Sequence, residues 1–110
     1  MEGEELVFKI KADFLRSLAH PIRLAIIEHL KKGEQTVGQI VQALGQEQST
    51  LSKHLGVLRQ AGILKSRQEK VSVYYSIRNQ KIFQVLRPIA LILRQTLEEG
   101  QKALNELGKT

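Results

Sequence analysis

The chain has 110 residues, a net charge of +6 and no cysteine. That length fits one domain, and the missing thiols exclude disulfides, thiolate metal sites and thiol redox switches. Its start is acidic (Glu2, Glu4, Glu5) rather than basic as in a signal peptide, and no uncharged apolar run is long enough to span a membrane, so a cytoplasmic location is expected.

Residues 6–19 carry Leu6, Phe8, Ile10, Phe14, Leu15 and Leu18, and the last three have the spacing of a first helix. His20-Pro21 breaks it, because the residue before proline avoids the α region. Pro21 then suits the first position of a second helix running to about Lys32, with Ile22, Ala25, Ile26 and Leu30 inward and Gly33 beyond its end.

Thr36-Val-Gly-Gln39 matches a capping box and predicts a third helix over Val37–Leu44, with Ile40, Val41 and Leu44 inward. Gly45 stops it. After a short turn, Gln48 or Ser49 caps a fourth helix that ends at Ala61-Gly62. Leu51, Leu55 and Leu58 form its apolar face. Ser49, Ser52, Lys53, Gly56 and Gln60 form the opposite face, which has no acid and suits close approach to a polyanion. Two short helices joined through a glycine follow helix–turn–helix grammar over about 36–61.

Beyond Gly62 the period changes to that of strands. Ile63–Arg67 and Val71–Ile77 predict a hairpin over about 63–77, with Gln68-Glu69-Lys70 at its tip. Val71, Val73, Tyr75 and Ile77 share one face of the second strand. A hairpin directly after the second helix of such a motif is a wing. Asn79 can cap a last helix over about 80–107, whose stripe is Ile82, Phe83, Leu86, Ile89, Leu93 and Leu97. Pro88 must kink that helix or restart it. The fold class expected is α+β and mainly helical: a winged helix–turn–helix with a two-stranded wing.

Charge is unevenly placed. Residues 1–47 hold six Lys or Arg against seven Asp or Glu. Residues 48–81 hold seven against Glu69 alone, and residues 82–110 hold four against three. The surplus therefore lies on the fourth helix and the wing, which points to nucleic acid. Asp13 is the only aspartate, no nucleophile–base pair has supporting spacing, and no glycine-rich phosphate loop is present. Neither an enzyme nor a cofactor is expected.

Leu18-Ala-His-Pro-Ile-Arg-Leu-Ala-Ile-Ile27, Ser49-Thr-Leu-Ser-Lys-His-Leu-Gly-Val-Leu-Arg-Gln-Ala-Gly-Ile-Leu64 and Tyr74-Tyr-Ser-Ile77 resemble the ArsR/SmtB family of bacterial winged helix–turn–helix repressors. The match covers about residues 6–87. The resemblance implies a homodimer packed through the first and last helices, an inverted-repeat operator in double-stranded DNA, and release by an effector. Metal-sensing members carry cysteines in the third helix or Asp, His and Glu ligands in the last. Here the third helix has no such ligand, and no histidine follows His54, so the usual metal sites are absent.

Gln48, Ser49, Thr50 and Ser52 then fall where recognition-helix residues reach base edges, although Gln48 and Ser49 could instead cap. Lys53 points away from the leucine face, toward a phosphate, a guanine or solvent. The resemblance places His54 at the DNA, whereas helical geometry places it beside the apolar face. Arg67 and Lys70 flank the wing tip, beside Gln68, where they can grip phosphates or the minor groove or remain ordinary surface groups. Tyr74 lies on the polar face of its strand and can touch the DNA backbone, while Tyr75 faces the core. Arg59 serves either an ion pair or a phosphate. His20 is structural. Phe8, Phe14, Leu86, Ile89, Leu93 and Leu97 are the expected dimer seam. A pocket between the first and last helices is the natural place for an apolar effector of unknown identity, although no residue demands one. The alternative reading is a winged-helix module that binds an acidic protein or RNA.

Overall fold

A computed structural model describes residues 2–109. The element order is α1 (Gly3–Leu18), α2 (Pro21–His29), a 3₁₀ turn (Leu30–Lys32), β1 (Gln35–Thr36), α3 (Val37–Leu44), α4 (Gln48–Gln60), β2 (Leu64–Glu69), β3 (Ser72–Ile77) and α5 (Ile82–Leu107). Two compact units result, one up to Asn79 and one from Gln80 onward.

Local chemistry sets the helix ends of the first unit. His20 caps α2 through Nδ1, which accepts from the Ile22 amide at 3.1 Å, and Pro21 takes the first helical position. The second helix was expected to reach Lys32, but it tightens into the 3₁₀ turn after His29. Thr36 and Gln39 close both arms of the predicted capping box, at 3.1 and 2.9 Å. Gly45 takes a left-handed φ of 64° and ends α3. Gly62, at φ 79°, ends α4 in a Schellman motif: its amide donates to Arg59 O, and the Ile63 amide donates to Leu58 O, both at 3.0 Å. Leu58 and Ile63, the apolar pair that accompanies this motif, are both buried.

The core of this unit is aliphatic. Ile26, Ile27, Leu30, Ile40, Leu51, Leu55, Leu58 and Leu64 are essentially inaccessible. The three leucines of α4 are buried as their spacing predicts. Two expectations for α2 are corrected: Ala25 is exposed and Ile22 half-buried, while Ile27 joins the core. In α3 only Ile40 is fully buried, with Val41 and Leu44 half-buried.

The sheet has three strands rather than two, in the order β1-β3-β2 and antiparallel throughout. Gln35 pairs with Tyr75 and Thr36 with Tyr74. The segment is too short to show alternation, so no periodic signal marks it. The hairpin tip also shifts. Glu69 pairs with Ser72, so Lys70 and Val71 form the turn and Gln68-Glu69 belong to β2. Val71 is therefore not a strand residue on the apolar face; it is 95% exposed. Tyr75, expected in the core, is half-buried.

The second unit is α5, whose N-cap position is held by Lys81 rather than Asn79. The helix runs through Pro88 without restarting. The missing proline N–H leaves the Gln84 carbonyl without its helical donor. Among the described residues no helix is long and apolar enough to cross a membrane.

Candidate nucleic-acid interface

Burial of Leu51, Leu55 and Leu58 fixes which way α4 faces. Gln48, Ser49, Ser52 and Lys53 are exposed, and Thr50 is half-buried. Glu47, not Gln48 or Ser49, occupies the N-cap, and no side chain caps the helix. The capping alternative for Gln48 and Ser49 is thereby removed. Gly56 interrupts this helix without an internal reason: a Cβ there would meet nothing within 4 Å.

His54 is half-buried on the flank of the helix. Its Nδ1 accepts from Arg23 Nε at 3.1 Å, and its ring lies 4.2 Å from that of His20, tilted by 41°. Burial, and then the neighbouring His20, Arg23 and Lys53, hold its imidazole below the ordinary pKa of 6.5. A neutral ring accepting at Nδ1 carries its proton on Nε2. The structural reading of His54 thus has a specific partner, Arg23, which sequence reasoning did not single out even though it lies within the quoted Leu18–Ile27 motif.

The wing places its charges unequally. Arg67 makes a forked pair with Glu34, Nε to Oε2 at 2.9 Å and Nη2 to Oε1 at 2.7 Å. Its Nη1 donates to Glu69 at 2.7 Å, and its guanidinium lies over the Tyr74 ring at 4.3 Å. The hydrogen bond from Arg67 holds the Glu34 carboxyl below its usual range, and the two carboxylates raise the Arg67 pKa. Two acids therefore face Arg67 from within the chain, and Tyr74 is half-buried. Gln68 Nε2 donates to the Lys70 carbonyl at 3.4 Å, a contact inside the hairpin turn. Lys70 is exposed at the tip with φ 57°. Among the described residues Arg59 pairs with no acid; its Nη1 lies 3.4 Å from the Ser66 hydroxyl, linking the end of α4 to β2.

Glu34 was missed because 33 residues separate it from Arg67, and no local pattern announces such a pair. An open cleft of about 300 Å³ lies between the wing and the starts of α3 and α4, with Gln48, Thr36 and Ser72 among its lining residues. The exposed side of α4, this cleft and Lys70 are thus features of one unit. No group of three or more His, Asp or Glu side chains is close enough to hold a metal ion among the described residues.

Both terminal helices leave large apolar side chains exposed. On α1 these include Phe8 at 64% and Phe14 at 36%. On α5 they include Ile89, Leu93 and Leu97, while Leu86 is half-buried.

A model of a helix-turn-helix domain family matches residues 18–67. Over 108 residues the chain is 37% identical to Rv0081, an HTH-type transcriptional regulator of Mycobacterium tuberculosis, covering 97% of this chain and 94% of that protein. It is 37% identical over 81 residues to the biofilm growth-associated repressor of Xylella fastidiosa, covering 74% and 71%. The crystal structure of Rv0081 superposes with a TM-score of 0.77 at 35% identity, over 90% of this chain and 97% of that one. The homodimeric winged helix-turn-helix domain of Mb0332 from Mycobacterium bovis, described as a possible ArsR-family regulator, gives 0.78 at 25% identity, over 90% and 92%.

Proposed function

We propose, for a chain that belongs to the ArsR/SmtB family of winged helix–turn–helix transcriptional regulators, that it is a homodimeric repressor binding an inverted-repeat operator. The observation that carries this reading is the split of α4. One side is sealed into the core by Leu51, Leu55 and Leu58, and the other presents Gln48, Ser49, Ser52 and Lys53 uncapped and exposed. In this reading α4 enters the major groove, where Gln48 offers a bidentate amide to adenine and Lys53 a cation to guanine or phosphate. Lys70 at the wing tip, with Gln68 near the end of β2, approaches the flanking backbone. Arg67 acts differently from the expectation of a direct DNA grip: with Glu34 and Glu69 on its guanidinium, it holds the wing in shape.

The homodimer follows from the exposed apolar side chains of α1 and α5, which a soluble monomer would leave in water. Phe8, Phe14, Leu86, Ile89, Leu93 and Leu97 are the proposed seam. A two-fold axis through it sets two recognition helices about 34–36 Å apart, one DNA turn. The input that releases repression is not a cysteine-bound metal, since the chain has no cysteine. The place of action is the cytoplasm.

The test is a competition binding assay between duplex DNA from upstream of the protein's own gene and random duplex of equal length. Preference for the upstream DNA is expected, with affinity falling as salt rises by a log–log slope of about −0.9 per phosphate contact. Lys53→Ala should weaken that binding. Equal binding to random duplex or to RNA would instead indicate an interaction module, and unaltered binding by Lys53→Ala would remove the recognition-face assignment.

A further inference from the structure

The joint beneath α4 carries an inference that rests on the operator-binding reading and deepens it. We infer that Arg23 is a positioning residue for operator recognition: it ties the middle of the recognition helix to the last turn of α1 and holds His54 as the Nε2–H tautomer. One planar guanidinium makes all the links. Nε donates to His54 Nδ1 at 3.1 Å, while Nη1 donates to the carbonyls of Ser17 at 3.1 Å and Arg16 at 3.4 Å. Both carbonyls belong to the C-terminal turn of α1, where helix carbonyls lack an i+4 donor; Arg16 O also accepts from the Ala19 amide at 3.2 Å. A guanidinium only donates, so its partner on His54 must be a lone pair, which the neutral Nε2–H ring supplies. His20 braces the ring from the α1–α2 corner, with its own Nδ1 occupied by the Ile22 amide.

The joint has a built-in sensitivity. The titratable and charged groups facing His54 are His20 from the corner, Arg23 from α2 and Lys53 from α4 itself, with no carboxylate among them. A proton on Nδ1 removes the acceptor of Arg23 and sets two cations side by side. Acidification therefore releases α4 from α1 while adding positive charge near the DNA. Operator binding, which needs the orientation of α4, falls. Binding to random DNA, which needs only charge, holds or rises. The ratio of the two is the quantity that the joint controls.

The experiment measures that ratio by fluorescence anisotropy at fixed ionic strength, at about pH 7.5 and about pH 5, the lower value set well under the ordinary histidine pKa because that of His54 is depressed. Wild type, Arg23→Lys and His54→Asn are compared, with circular dichroism confirming that each is folded. The wild-type ratio is expected to fall by roughly tenfold on acidification, the size associated with one hydrogen bond to a charged group. Arg23→Lys keeps the charge but not the planar fork, and should show the low ratio at both pH values. His54→Asn keeps an acceptor in the place of Nδ1 and takes up no proton, so its ratio should not depend on pH. In the free wild-type protein, ¹⁵N imidazole shifts should show an unprotonated Nδ1 on His54, and Arg23→Lys should mix the tautomers. A wild-type ratio that is constant or higher in acid overturns the inference, as does Arg23→Lys matching wild type or a protonated Nδ1 at neutral pH. If wild type prefers no duplex at all, the repressor reading fails, while the imidazole spectra still decide the joint.

Discussion

Arg67 and Tyr74 stand opposite each other across β2 and β3, with the guanidinium carbon 4.3 Å from the ring centroid. Glu34 takes two of its nitrogens and Glu69 the third, so one side chain joins both wing strands to the loop that leads into β1. A lysine cannot reproduce the fork or the stacked plane. Arg67→Lys is expected to speed amide exchange across Leu64–Ile77 while leaving the salt slope of DNA binding as it was, because the charge is kept. Unchanged protection in the wing would show that this arginine does not hold it.

Gly56 predicts an opposition between stability and binding. Glycine inside a helix costs about 1 kcal/mol relative to alanine, and here no neighbour within 4 Å requires it. Gly56→Ala should therefore raise the melting temperature. If the bare backbone lies against DNA, the same change should weaken operator binding. A variant that is more stable and binds as well as wild type would remove Gly56 from the interface.

Lys70 turns the wing with a left-handed φ of 57°, a conformation that favours glycine. The strain of a non-glycine residue there is on the order of 1 kcal/mol. Lys70→Gly is expected to stabilise the fold by less than that amount in urea unfolding, because glycine also raises the entropy of the unfolded chain, and to lower the salt slope of DNA binding, since one exposed cation is lost. A slope equal to that of wild type would mean that the tip does not meet a phosphate.

His54 also links pH to stability. Its folded-state pKa lies below the ordinary 6.5, so below that value the unfolded chain takes up the proton more readily than the folded one. The contribution is fully present above pH 6.5 and is lost as the pH falls through that value toward the lower folded one. The urea midpoint should therefore drop on acidification from neutral pH, and His54→Asn should flatten the drop. A wild-type midpoint that rises over the same range would contradict this sign.

Much of the first unit was legible because its signals are local. The Thr36–Gln39 box, Gly45, the leucines at 51, 55 and 58 and the stop at Ala61-Gly62 each specify a conformation through neighbours within one or two helical turns. The errors came where partners are distant or the element is short. Gln35-Thr36 became a strand because β3 offered an edge, not because two residues have a period. Ala25 lost its expected inward place and Ile27 gained one because the half-turn between them is decided by what packs against α2. Val71 left the strand because a two-residue turn suffices where three residues were expected.

By itself, the sequence determined the order of the helices and the two wing strands, the buried side of α4 and the concentration of positive charge on α4 and the wing, since periodicity, capping and charge are properties of neighbours along the chain. Only the tertiary structure decided which of those charges are engaged. It set Glu34 against Arg67 and Arg23 against His54 across gaps of 33 and 31 residues, and it left Lys53 and Lys70 at the exposed surface. A pairing of that kind depends on distance in space, which no spacing along the chain encodes.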